Sequence, residues 1–141
     1  MDAKGYMDAE MWDKVLSHVD LRHPVTEDYV RGRYDGVIHL VTAANGASKW
    51  YKWGKTKGDC GHEVFRKESP AEAIALDDQM IRVWSGHPRH IVIGNTDEGF
   101  SSKLERAANA VLGTAKEAHP QEYQKAQGIG PRLKSLFGFE K

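Results

Sequence analysis

A chain of 141 residues is long enough for one domain with a hydrophobic core, and its 40% apolar and 28% charged residues are typical of globular proteins. The formal net charge is zero, which argues against DNA or an anionic membrane as a partner attracted by overall charge. The single cysteine, Cys60, excludes an internal disulfide, and the longest apolar run, 37–44, is too short to span a bilayer. We expect a cytoplasmic protein; the alternative is a mitochondrial protein without a recognisable cleavable presequence.

The N-terminal part of the chain predicts a helix over 9–19. Asp8 is placed to cap its free amides, and Met7 and Trp12 have the spacing of a hydrophobic staple. Helical spacing predicts one buried face, made of Met11, Trp12, Val15, Leu16 and Val19. Thr26 then begins a short turn or helix.

The central part predicts a strand, a helix and a second strand of an α/β protein. Residues 36–42 are nearly all apolar and β-branched, which is typical of a strand covered on both faces, with His39 as a satisfied core histidine. Ser69, Pro70 and Glu72 form a capping box at the start of a helix that ends near Trp84. The expected buried stripe of this helix is Ala73, Leu76, Met80, Val83 and Trp84. A second buried strand follows over 90–94, and the two strands should be parallel with a right-handed crossover.

The C-terminal part predicts an amphipathic helix over 100–117 and then an extension. The expected buried face of this helix is Phe100, Leu104, Ala108, Val111, Leu112 and Ala115. We divide the chain into an α/β domain, 1–118, and a C-terminal extension, 119–141. The extension carries four apolar residues interleaved with basic ones: Leu133, Leu136, Phe137 and Phe139.

The connection over 43–67 is predicted to be irregular and contains a fragment of a phosphate-binding motif. Gly54-Lys55-Thr56 matches the end of GxxxxGK[ST], but the first glycine would fall on Lys49 and no helix start follows. A functional P-loop is therefore not expected here.

The same connection is rich in aromatic and basic residues: Lys49, Trp50, Tyr51, Lys52, Trp53, Lys55 and Lys57. Such a cluster suits nucleotide phosphates, nucleic acid or an acidic protein surface. The alternative, which we favour, is that the aromatic rings fold onto the core and the lysines are solvated. RNA binding is the least favoured of these interpretations because there is no basic excess elsewhere.

Two other groups of polar residues are weak candidates for a site. Cys60 and His62 lack the paired ligands of a zinc site, and Cys60 lacks a positioned base for nucleophilic catalysis. Asp77 and Asp78 are adjacent on a helix and therefore face different directions, so we expect surface charges.

Five segments in order resemble one known family: MDAKGYMDAEMW, RYDGVIHLVTAANGASKWY, FRKESPAEAIALD, VWSGHPRHIVIGN and FSSKLERAANAVL. Together they are similar to the C-terminal half of the AAA-type P-loop domain of NadR-like nucleotide kinases and TRPL-translocation-defect proteins. The resemblance implies a three-layer, kinase-like α/β fold with a short parallel sheet flanked by helices, whose first half, with the Walker A loop, is missing. In the full-length family it implies ATP or GTP with Mg²⁺.

The resemblance also implies roles for individual residues. Arg66 is similar to a lid residue that reaches nucleotide phosphates, and the loop lysines Lys52, Lys55 and Lys57 would lie near them. Asn95 and Thr96 fall where related kinases form the loop beside the base. Without a Walker A loop, this chain alone is expected to bind no cofactor and to have no catalytic activity.

A second hypothesis of a different class remains open. The chain is then a degenerate, non-enzymatic subunit of a larger, possibly mitochondrial, complex. Its contact surfaces would be Trp50, Trp53, Leu133, Leu136 and Phe137. In either case a protein partner, or the missing N-terminal half, should cover the open sheet edge.

Overall fold

The computed structural model of the protein describes residues 1–19, 25–57 and 61–125. The α-helices are α1 (Ala9–Val19), α2 (Glu27–Arg31), α3 (Pro70–Trp84) and α4 (Gly99–Ala118). The strands are β1 (Val37–Leu40), β2 (Gly54–Lys57), β3 (Glu63–Arg66) and β4 (His90–Ile93). Short 3-10 helices span Asp2–Tyr6 and Ser48–Trp50, and a further helical turn covers 120–125. Cys60 and the tail residues Leu133, Leu136, Phe137 and Phe139 lie outside the described residues.

The predicted parallel strand pair is confirmed. β1 pairs with β4 in register from Val37 opposite His90 to Leu40 opposite Ile93. The expectation that this sheet is covered on both faces is wrong, because Leu40 is exposed on β1 and Ile91 and Val92 are exposed on β4. A sheet of two short strands is too narrow for its neighbouring helices to bury both faces.

The predicted starts of α1, α2 and α3 are also confirmed, and each depends on a side chain that satisfies free backbone amides. Asp8 accepts a hydrogen bond of 2.7 Å from the amide of Met11, and Thr26 caps α2 in the same way. At α3 the Ser69 hydroxyl accepts from the Glu72 amide at 3.3 Å, and the Glu72 carboxylate accepts from the Ser69 amide at 2.8 Å. The hydrogen bonds from Ser69 lower the pKa of Glu72. These caps are local in sequence, which is why the pattern of residues alone predicts them.

The connection over 43–67 is not irregular, contrary to prediction. It contains an antiparallel hairpin in which β2 pairs with β3, from Gly54 opposite Arg66 to Lys57 opposite Glu63. Gly54 has a φ of 78° and begins a strand, whereas the glycine-rich turn of a P-loop leads into the N-terminus of a helix. The polar sequence of β2 gives no hydrophobic signal, and the hairpin is defined by its backbone pairing.

The core is small, and its residues lie on α1, on α3 and at the carboxyl ends of the parallel strands. Its buried apolar residues are Trp12, Val41, Ala44, Val83, Trp84 and Ile93. Trp84 packs edge-to-face on Tyr34 at 5.4 Å, and its indole donates a hydrogen bond of 2.6 Å to the Asp2 carboxylate. No side chain in the described part of the chain is less than 2% exposed, so the core is shallow everywhere.

The packing of α1 and α4 differs from the prediction. Trp12 is buried as expected, but Met11 on the same helix is exposed. On α4 the predicted buried residues Phe100, Leu104, Val111 and Leu112 are between 48% and 68% exposed.

Polar residues of α4 face the sheet instead. Lys103 and Arg106 donate hydrogen bonds to the carbonyl groups of Val41 and Gly94, at the ends of the strands. Thr114 lies against Gly36, where a Cβ atom would come within 2.6 Å of its methyl group. These hydrogen bonds and this close approach fix which side of the helix meets the sheet. No helix in the described part of the chain is long and apolar enough to cross a membrane.

Replacement of the α3 cap should destabilise the protein. Ser69→Ala removes the acceptor for the Glu72 amide and should lower the free energy of unfolding by about 1 kcal/mol. Urea denaturation followed by circular dichroism measures the change. Ser101→Ala, on the exposed side of α4, is the matched control and should change stability by less than about 0.5 kcal/mol. Equal effects of the two substitutions would contradict the capping role.

Candidate functional site

A cleft of about 650 Å³ opens at the carboxyl ends of the parallel strands β1 and β4. The loop after β1 forms one wall and the loop after β4, with the start of α4, forms the other. The lining includes Gly46, Lys49, Trp50, Asn95, Asp97 and Phe100. In open α/β sheets, ligands bind outside the carboxyl ends of the strands, so the position of this cleft is that of a binding site.

Both walls of the cleft turn at glycines with positive φ. Gly46 has a φ of 83° and Gly99 a φ of 85°, a conformation that residues with a Cβ rarely adopt. Each glycine allows its loop to bend back beside the strand ends. The two glycines therefore set the course of both loops at the cleft.

Asn95 joins the two walls by hydrogen bonds. Its amide nitrogen donates to the carbonyl groups of Thr42 at 2.8 Å and Asn45 at 2.6 Å, both in the loop after β1. Its amide oxygen accepts from the Lys103 ammonium at 2.9 Å, and the same ammonium donates to the Val41 carbonyl. One asparagine and one lysine thus hold both strand ends and both loops in position.

Lys103 is an unusual residue for this role because only 5% of it is exposed. Lysine is among the residues least often buried, since its charge is costly to remove from water. Burial lowers the pKa of Lys103, the negative charge of Asp77 acts in the opposite direction, and Arg106 lowers the pKa further. The ammonium is tolerated because it has two oxygen partners.

Asp77 forms a second buried polar contact under the same loop. One of its carboxylate oxygens accepts from His39 Nε2 and from the Thr42 amide, each at 3.0 Å. The prediction of a surface charge is therefore wrong for Asp77, whose side chain is 9% exposed, and correct for Asp78. The prediction that His39 is a satisfied, core-facing histidine is confirmed.

His90, on the neighbouring strand, lies beside this contact. Its ring is edge-to-face with that of His39, with 6.1 Å between the ring centroids. Its Nε2 atom is buried and has no hydrogen-bond partner among the residues that the structure describes. Burial lowers the pKa of His90, and the neighbouring His39 and His87 lower it further.

The structure separates the predicted site residues into two groups. Asn95 and Thr96, expected beside a base, line the main cleft. Arg66 lies in a second cleft of about 280 Å³, which also includes Thr42 and Asp77. Its guanidinium stacks on the Tyr51 ring at 4.6 Å from the centroid. The predicted phosphate contacts Lys52, Lys55 and Lys57 are exposed, before and along β2.

The aromatic residues of the predicted cluster do not all fold onto the core. Trp50 is 68% exposed at the mouth of the main cleft, with the Lys49 ammonium 5.6 Å from the centroid of its ring. Trp53 is also exposed, and its indole donates to the Lys67 carbonyl at 3.2 Å. Tyr51 is half-buried, and its hydroxyl donates to the Glu68 carbonyl at 2.9 Å. The interpretation in which these rings join the core is wrong for both tryptophans.

Sequence reasoning missed Lys103 and the structural role of Asp77. Lys103 stands next to Leu104 in a pattern whose apolar residues suggested the opposite helix face. The position of Asp77 between Ala73 and Met80, on the inner side of a helix, indicated that its side chain is buried. Its partner His39 is distant in sequence, so the contact between them could not be predicted.

Comparison of the chain with protein-family models, curated proteins and solved structures finds no match. Within the described residues, no group of three or more histidine, cysteine, aspartate or glutamate side chains is arranged to hold a metal ion. Function must therefore be argued from the clefts themselves.

Replacement of Lys103 tests the clamp between the two walls. Lys103→Met removes the donor for the Val41 carbonyl and Asn95 and should lower the free energy of unfolding by roughly 1–3 kcal/mol. Lys116→Met, on an exposed position of the same helix, should change it by less than about 0.5 kcal/mol. Urea denaturation measures both. A Lys103→Met protein as stable as wild type would contradict this stabilising role. It would mean that the free energy cost of burying the charge is at least as large as the gain from its hydrogen bonds.

His90 should make the stability depend on pH in the acidic range. Because its folded pKa lies below the unfolded value of about 6.5, protonation favours the unfolded chain. Its contribution is complete above that unfolded value and is lost progressively as the pH falls towards the folded pKa.

Unfolding free energies measured across this range should therefore fall less steeply with acidification in His90→Gln than in wild type. Asn109→Ala, at an exposed position on α4 and without a titratable group, is the control and should keep the wild-type slope. His119 affects the pH dependence of stability with the opposite sign. Its hydrogen bond with Asp35 raises its pKa, so the stabilisation from His119 is lost as the pH rises. An unchanged acid slope in His90→Gln would contradict the assignment.

Proposed function

We propose that the chain is the C-terminal part of a nucleotide-binding α/β domain of the P-loop kinase type, and that its main cleft takes the base of ATP or GTP. The observation that carries the proposal is the cleft at the carboxyl ends of a parallel strand pair, with exposed aromatic rings at its mouth. The chain does not catalyse phosphoryl transfer by itself, since that reaction needs a phosphate cradle and a placed Mg²⁺.

The residues of the cleft support the recognition of a flat, polar-edged ring. Trp50 and Phe100 offer ring faces from opposite walls, and both are exposed. Thr96 and Asp97 supply hydrogen-bonding groups between them. A base can therefore stack on an aromatic face while its edge meets polar side chains, and such stacking is worth roughly 1–3 kcal/mol per base.

The second cleft supports a path for the phosphates. Arg66 lines the second cleft, and the segment after β1 contributes to both clefts, with Thr42 and Tyr51 in the second and Ala43 to Trp50 in the first. In this proposal the phosphate chain extends towards Arg66 and the lysines near and along β2. A guanidinium already stacked on Tyr51 is well positioned to bind phosphate, since its planar donors remain directed outwards.

A groove of about 430 Å³ beside β1 supports the view that a further strand extends the parallel sheet. It follows β1 along 36–40 and is closed on its far side by Tyr6, Met80 and Trp84. In the described part of the chain β1 pairs only with β4, so its other edge faces this groove. Under the proposal, a strand of the missing half, or of a protein partner, pairs there.

Replacement of the stacking tryptophan tests the proposal. In the native full-length protein, Trp50→Ala should weaken the binding of ATP or GTP about 5- to 150-fold, the range that corresponds to the loss of one stacked base. Equilibrium dialysis with each nucleotide measures the affinity. Trp53→Ala is the matched control, because Trp53 is equally exposed but donates to the Lys67 carbonyl on the hairpin. Equal losses in both variants, or no binding to wild type at millimolar nucleotide, would contradict the proposal.

The alternative function, a non-enzymatic subunit, is favoured by one specific observation. Large apolar side chains are exposed on several elements, and the shallow core has no fully buried side chain among the described residues. The mass of the native protein in its own cells, with peptides mapped to the N-terminus, separates the two functions. Peptides upstream of Met1 would favour the nucleotide-binding domain. A native mass near 15.8 kDa, together with no nucleotide binding, would favour the subunit.

A further inference from the structure

The outer face of α4 carries an apolar stripe, which consists of Phe100, Leu104, Ala108, Val111 and Leu112. The spacing of these residues places them along one side of the helix over about 18 Å. The four large side chains are between 48% and 68% exposed. A helix that presents such a stripe to water normally has a partner on it, because the burial of each large apolar side chain is favourable.

The stripe cannot be buried by turning α4 towards the sheet. The inner side of the helix is held by the Lys103 ammonium at Val41, by Arg106 at Gly94, and by the fit of Thr114 on Gly36. Rotation would break these contacts and would leave two cationic groups without their carbonyl partners. The cover must therefore come from outside α4 and the sheet.

We propose that the tail of this chain, residues 126–141, folds back on α4 and covers the apolar stripe. Leu133, Leu136 and Phe137 have the i, i+3, i+4 spacing of a helix with one apolar side. The tail residues predicted above as contacts for another protein are thereby assigned to the same chain.

The position of the tail in the sequence supports this occupant. The described chain leaves the C-terminal end of α4 at Ala118 and continues through the helical turn 120–125. Gly128, Gly130 and Pro131 then supply residues that favour a reversal of direction. Even the short segment 126–133 reaches about 25 Å when extended, enough to return along α4, which is about 30 Å long.

The covalent connection also favours the tail over a second copy of the chain. A segment tethered by a short flexible linker has an effective concentration in the millimolar range, far above the concentration of free protein in most solutions. The proposal shares only Phe100 with the nucleotide site, and the other stripe residues line neither the main cleft nor the cleft that contains Arg66.

Disulfide trapping in the full chain tests the proposal. In a Cys60→Ser background, Ala108→Cys on the stripe is combined with Leu136→Cys on the apolar side of the tail. The control pair combines Asn109→Cys with Leu136→Cys, because residue 109 is also exposed but lies about 100° further around the helix. Mild oxidation should cross-link the first pair within single chains at least about fivefold faster than the control, since disulfides need close and aligned Cβ atoms.

The products are separated on a non-reducing gel and located by peptide mass mapping. Equal rates for the two pairs, or a stripe pair that links only between chains, would overturn the proposal; links between chains would point to a second copy as the occupant.

A second measurement does not require any change to α4. The triple variant Leu133→Ser, Leu136→Ser, Phe137→Ser should increase deuterium uptake at the amides of α4 several-fold relative to wild type. The opposing variant Arg132→Gln, Lys134→Gln keeps the apolar residues and should leave that uptake unchanged. Unchanged uptake in the triple variant would contradict docking of the tail.

Discussion

The buried ammonium of Lys103 is the interaction on which the arrangement of the main cleft depends. It connects the end of β1, through the Val41 carbonyl, to the loop after β4, through Asn95. Asn95 in turn holds the loop after β1 at Thr42 and Asn45. A sheet of two strands does not fix its loops by itself. These connected hydrogen bonds hold the loops in position, as neighbouring strands do in the wider sheets of larger α/β proteins.

The same interaction explains why α4 has its apolar side outward. A lysine and an arginine directed at strand-end carbonyls determine the rotation of the helix, and the hydrophobic residues take the remaining side. Polar contacts thus override the hydrophobic pattern at this position. The free energy cost of burying the Lys103 ammonium is acceptable only because two oxygen atoms accept its hydrogen bonds. These hydrogen bonds require one rotation of α4, and that rotation leaves the apolar stripe exposed.

Local features of the fold follow from the sequence, whereas several long-range features do not. The caps at Asp8, Thr26 and Ser69 and the parallel pairing of the two apolar strands are predictable, because the residues that decide them are neighbours or form distinct runs. The β2–β3 hairpin lacks such a run. The face of α4 is mispredicted because the hydrophobic pattern contains no information about the carbonyl groups of Val41 and Gly94, which hold Lys103 and Arg106 from other elements of the fold.

The residues of the candidate site also fall into those that the sequence predicts and those that it does not. Asn95 and Thr96 follow a recognisable strand, and their place in the cleft follows from the rule for the carboxyl ends of parallel strands. Lys103 and Asp77 support the loops through partners that are remote in sequence. A single sequence does not indicate such pairs, because each partner has an ordinary residue type in an ordinary pattern.

The pairing of β1 with β4 has a consequence for the order in which the chain folds. The hairpin and all of α3 lie between Val37 and His90 in the sequence. The pairing of these two residues therefore requires the closure of a long loop. The α3 capping box and the hairpin form through local contacts, without that entropic cost. Nucleation in these local elements, followed by late strand pairing, leaves the apolar edge of β1 transiently open to other chains. Slow refolding at low protein concentration should therefore give a higher yield than rapid refolding at high concentration.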